Sequence, residues 1–228
     1  MGHLNIGAGR VVWQDLVRID QSIEKGEFAK QKAIVDALQT ATKGNGRLHL
    51  LGLISDGGVH SHNTHLYALL QAAKDAGVKE TYVHFFGDGR DTDPKSAAKY
   101  MQELLDKMAA MKYGKIGTVV GRYYAMDRDK RWERILVALQ ALTEGKGDIG
   151  SDDPVKDIEG KYAKNETDEF LKPIVYHGEE GRLQGLSLVL TAADAETTIR
   201  LSFSIIGPIG SVRLCRFSIS IHLPSKEK

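Results

Sequence analysis

Cysteine is nearly absent. Cys215 is the single one in 228 residues, which excludes an internal disulfide and a cysteine-built zinc site and fits a reducing compartment. Net charge is also small: 31 Lys and Arg stand against 30 Asp and Glu, a formal +1. No overall field draws in nucleic acid or an acidic membrane, so any anion must be held by local arginines. The amino terminus, MGHLNIGAGR, has no apolar core of the signal-peptide kind, and Ile6 stands where a myristoylation motif needs Ser or Thr. The longest apolar stretch, 199–223, is interrupted by Arg200, Pro208, Arg213 and Arg216, and each arginine at a bilayer centre would cost about 2.5–3.5 kcal/mol. The expectation is a soluble, cytoplasmic chain with neither a nucleic-acid nor a membrane partner. No G-x-x-x-x-G-K-[ST] or G-x-S-x-G motif occurs, and NIGAG at 5–9 is half a dinucleotide fingerprint with no strand before it.

What is present is a repeated unit. Residues 47–55 (RLHLLGLIS) read as a buried strand, and 65–76 as a helix with Leu66, Leu69, Leu70 and Ala73 on one face, ended by Gly77. Residues 81–86 (TYVHFF) and 115–120 (KIGTVV) give two more strands. The helices after them span 95–111, with Met101, Leu104, Leu105 and Met108 inward, and 130–142, with Trp132, Ile135, Leu136 and Leu139 inward. Upstream, 12–23 and 30–42 read as two helices joined around Gly26, and a short helix is expected near Tyr162. Alternation of this kind predicts a three-layer α/β/α fold with a mostly parallel sheet. From Gly185 onward the character changes, with no acidic residue between Glu196 and Glu227; the chain divides into 1–184 and a foreign tail, 185–228.

Each strand runs into a polar loop, the position at which open α/β sheets hold ligands. In SDGGVHSH (55–62) the glycines allow a sharp reversal that leaves His60 at the rim. His60 could meet an anionic or hydroxylated substrate; alternatively His60, His62 and His65 could hold a metal, or His62 and His65 are simply loop and helix-start residues. No second cluster of carboxylates accompanies them, which weighs against the metal. In FGDGRDTDP (86–94), Arg90 offers a planar fork and Asp91 an acceptor for a hydroxyl proton, unless the two are a solvated ion pair. Arg122 and Arg128 follow the third strand, beside Tyr123 and Tyr124, which cover them or pack. Such groups from three strand ends suit a small ligand with two anionic ends, such as a phosphorylated hydroxy acid.

The ordered blocks GHLNIGAGRVV (2–12), SDGGVHSH (55–62), DGRDTDP (88–94), GRYYAMDRDKRWER (121–134) and TDEFLKP (167–173) closely resemble the 2,3-bisphosphoglycerate-independent phosphoglycerate mutases over residues 2–184. The resemblance implies interconversion of 3-phosphoglycerate and 2-phosphoglycerate through a phosphoserine, two manganese ions, and a monomer of two domains. The part in hand resembles the transferase domain that binds glycerate. By the same resemblance His60, Arg90, Asp91, Arg122 and Arg128 fall on substrate-binding positions, and Asp91 handles the proton of the glycerate hydroxyl.

The departures set a second expectation. The family's G-N-S-E-V-like segment, whose serine is the nucleophile, stands before GHLNIGAGR; here Met1 precedes Gly2. The arginine turn N-[FY]-R-x-D-R that follows the family's next strand is absent after Gln184, as are the remaining metal ligands. The expectation is a substrate-binding module, the product of a truncation or a faulty gene model, that holds no metal and is inactive alone; the alternative is a free-standing phosphoglycerate- or partner-binding module.

Overall fold

A computed structural model describes Gly7, Gly9 and residues 13–183, with the backbone of three further strands at 188–192, 200–203 and 217–220. Most of the 2–12 block, Cys215 and the greater part of 185–228 lie outside the described residues. Helices α1 (Asp15–Glu24) and α2 (Lys32–Lys43), separated by a 3-10 turn at Phe28–Lys30, lead into strand β1 (Arg47–Leu53). Then come α3 (Asn63–Asp75), β2 (Glu80–Gly87), α4 (Ala97–Met111), β3 (Lys115–Gly121), the short α5 (Arg122–Ala125) and α6 (Trp132–Glu144). The excursion that follows carries β4 (Asp148–Ile149), α7 (Pro154–Tyr162) and β5 (Ile174–Val175), before β6 (Leu188–Ala192), β7 (Arg200–Phe203) and β8 (Phe217–Ser220).

The sheet order is β4-β5-β3-β2-β1-β6. β1, β2, β3 and β6 run parallel, and the β3–β5 pair is antiparallel. Strands of such a sheet are buried on both faces, which is why they read as unbroken apolar runs. Leu48, Leu50, Val83, Phe85, Ile116 and Val119 face the larger core, against α2, α3, α4 and α7. Leu51, Leu53, Phe86 and Val120 face the smaller one, against Ala138 and Leu142 of α6. The three-layer α/β/α arrangement expected from the sequence is the one the chain adopts.

One expectation needs correction. The sequence points Trp132, Leu136 and Leu139 inward, yet they are 69%, 50% and 48% exposed, while Ala138, Ala141 and Leu142 are buried. Helix α6 is apolar on two faces, and the one bearing Ala138, Ala141 and Leu142 is the one that is buried. Periodicity identifies a stripe but not which of two stripes packs. Beyond residue 184, β6 joins the same sheet, pairing with β1 from Leu48↔Leu188 to Gly52↔Ala192. The sheet takes up residues assigned above to a separate tail. Beyond it β7 and β8 pair antiparallel, in a sheet of their own.

Candidate ligand-binding site

The carboxyl ends of β1, β2 and β3 bring their three loops side by side. The first reverses at Gly58, with φ +67°, and is anchored by Ser61, whose hydroxyl donates to the Leu53 carbonyl at 2.8 Å. Asp56 accepts a 2.5 Å hydrogen bond from Tyr100 on α4. Burial, reinforced by that carboxylate, pushes the Tyr100 hydroxyl up to about 12, so it stays a donor. His60, at the tip of the turn, has Nε2 3.6 Å from Asp91 Oδ2 in the second loop.

Asp88, which opens that second loop, is the hub. It is 3% exposed and accepts from Ser55 Oγ at 2.8 Å, from the Arg90 and Asp91 amides at 3.3 and 3.1 Å, and from Arg122 Nη1 at 2.6 Å. Burial, the largest single influence, acts to raise its pKa. The hydrogen bonds from the Asp91 amide, Ser55, Arg122 and the Arg90 amide together outweigh it and hold the carboxyl below its usual range. Arg122 Nη1 also donates to Asp91 Oδ2 at 2.7 Å. Arg122 is therefore a buried cross-link between two carboxylates, and its fork does not reach out from the rim.

Arg90, by contrast, is about half exposed, with a side-chain exposure of 54%. Its Nε and Nη2 both lie 2.6 Å from Glu169 Oε1. Arg128 lies on the exposed turn between α5 and α6. That turn is pinned by Asp127, which accepts from the Arg131 amide at 2.8 Å and from Arg134 at 3.0 Å. Tyr123 sits beneath the Arg134 guanidinium, 4.0 Å from ring centroid to carbon, and packs against Tyr124 and Phe170. The tyrosines thus serve the loop scaffold.

His60, Arg90, Asp91 and Arg122 form one connected patch with Asp88 and Glu169, and Arg128 stands on the neighbouring turn. His62 and His65 go elsewhere. His62 is the N-cap of α3, with Nδ1 accepting from the Thr64 amide at 3.3 Å. His65 Nε2 meets Asp20 on α1 at 2.8 Å, and burial lowers its pKa against the pull of that carboxylate. Among the described residues no group of three His, Cys, Asp or Glu side chains could hold a metal ion, and no helix is long and apolar enough to cross a membrane. A cavity of about 670 Å³ near the start of β3 includes none of the five candidates.

Glu169 and Asp88 escaped the reading of the sequence as individual residues, although both lie in blocks it singled out. A family model described as BPG-independent PGAM N-terminus matches residues 19–190. The chain belongs to this family. Among curated members, the 2,3-bisphosphoglycerate-independent phosphoglycerate mutase of Caenorhabditis elegans is 54% identical over 186 residues, 81% of this chain and 34% of that protein. Its namesake in Nitratidesulfovibrio vulgaris is 54% identical over 175 residues, 77% of this chain and 34% of that one. A solved structure described as crystal structures of Leishmania mexicana phosphoglycerate mutase at low cobalt concentration matches with a TM-score of 0.73 at 26% identity, over 81% of this chain and 36% of that one. This member of the family spans about a third of the length of the curated relatives it matches. All five candidate residues fall inside the matched range.

Proposed function

We propose that this chain is the substrate-binding module of a cytoplasmic phosphoglycerate mutase, holding 3-phosphoglycerate or 2-phosphoglycerate at the rim of β1, β2 and β3. The observation that carries the reading is the convergence of His60, Arg90 and Asp91 on one patch, with Arg122 locking Asp91 from behind. Arg90 and Arg128 are the exposed cations that would take the carboxylate and phosphate ends. Asp91, 3.6 Å from His60, is the acceptor for the proton of the glycerate hydroxyl. Orientation of this kind is the larger part of what phosphoryl transfer asks of a protein.

Binding without turnover is the expected behaviour of the chain alone. Ser55 and Ser61, the buried serines of the first loop, donate to Asp88 and the Leu53 carbonyl, so neither is poised as a phosphate acceptor. Among the described residues no group of three His, Cys, Asp or Glu side chains is arranged to hold either of the two manganese ions implied by the resemblance. The module comprises residues 1–184 and the tail 185–228, with β6 of the tail paired to the module's sheet.

Calorimetry with 3-phosphoglycerate should give saturable heat that is lost in Arg90→Ala and in Arg128→Ala. A coupled enolase assay with manganese should show no mutase turnover. Absence of any heat at millimolar ligand, or robust turnover by the pure chain, would overturn the reading. A second reading, a module that binds a protein partner, is favoured by the exposed Trp132, Leu136 and Leu139 of α6.

A further inference from the structure

The block TDEFLKP (167–173) has no part in the function proposed above, yet its first residues cross closely over the paired ends of β2 and β3. The Gly121 amide donates to the Leu171 carbonyl at 2.8 Å, and the Asp168 amide to that of Pro94 at 2.9 Å. A Cβ on Gly87 would stand 2.5 Å from the Asp168 carbonyl oxygen, and one on Gly121 2.2 Å from that of Glu169. Only glycine admits the segment this closely.

Held there, three successive side chains serve three different elements. Asp168, 1% exposed, accepts from the Ser96 and Ala97 amides at 2.8 Å each and from Tyr162. It thereby caps the start of α4 from 72 and 71 residues away. Phe170 packs on Tyr123, with ring centroids 5.0 Å apart. Glu169 grips Arg90.

We propose that Glu169 is the positioning residue of Arg90, fixing the side edge of the guanidinium so that its end-on edge faces an incoming anion. The carboxylate engages Nε and Nη2, both at 2.6 Å, which leaves Nη1 and the second Nη2 hydrogen for a ligand. Exposure distinguishes holder from held: the Glu169 side chain is 15% exposed and that of Arg90 54%. An arginine free to rotate would have to surrender that freedom on binding; one already clamped does not. The ligand side of the inference rests on the phosphoglycerate reading, whereas the clamp itself does not.

The clamp is tested first without ligand, by ¹⁵N-edited NMR of arginine Nε–H groups. The Arg90 resonance, assigned by its loss in Arg90→Lys, is expected to exchange slowly in the native chain, to lose that protection in Glu169→Ala, and to keep it in Glu169→Gln, which retains the acceptor oxygen. Fast exchange in the native chain, or protection surviving in Glu169→Ala, overturns the proposal. Titration with 3-phosphoglycerate should then show binding weakened about tenfold in Glu169→Ala and less than about threefold in Glu169→Gln, on the scale of one charge-assisted hydrogen bond. Equal or tighter binding in Glu169→Ala also overturns it. Absence of any binding by the native chain defeats the functional reading instead, and the NMR result then decides the clamp by itself.

Discussion

Arg122 and Asp91 are joined by a 2.7 Å hydrogen bond from Nη1 to Oδ2, and the same nitrogen donates to Asp88 at 2.6 Å. The Arg122 side chain is 6% exposed. Removing it strands two carboxylates, one of them buried, without their cation, and a broken buried pair costs about 3–5 kcal/mol. Arg122→Ala should therefore lower the stability measured by urea unfolding by about that amount, and abolish ligand binding along with it. Arg128→Ala, at an exposed turn, should change stability by less than about 0.5 kcal/mol. Similar small losses in both would mean that the cross-link carries no stability.

Acid should unsettle the sheet well before the carboxylates titrate. His49 Nδ1 lies 2.9 Å from His84 Nε2, and His84 Nδ1 lies 3.0 Å from Thr118 Oγ1, a chain across β1, β2 and β3 with all three residues buried. Burial first, then the charge of Arg47, lowers His49 to about 4; burial, then His49, holds His84 well below the usual value. Depressed histidines are bound neutral by the folded chain, while the unfolded chain takes up protons near pH 6.5. Their stabilisation is thus complete above about pH 6.5 and is lost as pH falls below it; for His49 the loss runs down to about pH 4 and is on the order of 3 kcal/mol. Urea midpoints at pH 7 and pH 5 should differ markedly in the native chain and less in His49→Phe. His84 and His65, lowered in the same direction, keep some slope in the variant. An unchanged slope would show that His49 does not titrate on unfolding.

The sequence makes the scaffold legible because β1, β2 and β3 are apolar runs that end in Gly- and Asp-rich turns, a pattern local enough to read. The same turns deliver His60, Arg90, Asp91, Arg122 and Arg128 to one end of the sheet. What the sequence hides is division of labour. Arg90 and Arg122 look equivalent, but only the partners separate an exposed fork from a buried cross-link. Glu169 lies 79 residues from Arg90, and no spacing rule links them. The exposed stripe of α6 was hidden for another reason: a helix with two apolar faces carries no mark of which one meets the sheet.

That stripe should govern behaviour at high concentration. Trp132, Leu136 and Leu139 lie at i, i+4 and i+7, so they share a face, and each is about half exposed or more. Sedimentation at rising concentration should show self-association of the native chain that falls in Leu136→Lys/Leu139→Lys. Because the substituted side chains already meet solvent, the unfolding midpoint should move little. Undiminished association in the double variant would place the sticky surface elsewhere.

Gly121→Ala tests the close crossing of the 167–171 segment more directly than any side-chain removal. The added methyl carbon would lie 2.2 Å from the Glu169 carbonyl oxygen, 2.5 Å from its carbon and 2.7 Å from the Leu171 nitrogen. All three are backbone atoms, so no rotamer change can relieve the clash, and the segment must shift as a whole. That shift would break the 2.8 Å bond from the Gly121 amide to Leu171 and draw Glu169 away from Arg90. A loss of about 2–4 kcal/mol is expected, with the Arg90 Nε–H protection lost at the same time. Gly160→Ala is the matched control: the site lies within α7, and nothing stands within 4 Å of its added carbon. There the methyl group should stabilise by about 0.5–1 kcal/mol, through helix propensity alone. If both substitutions prove equally mild, the segment yields easily, and it cannot be what holds Arg90 in place.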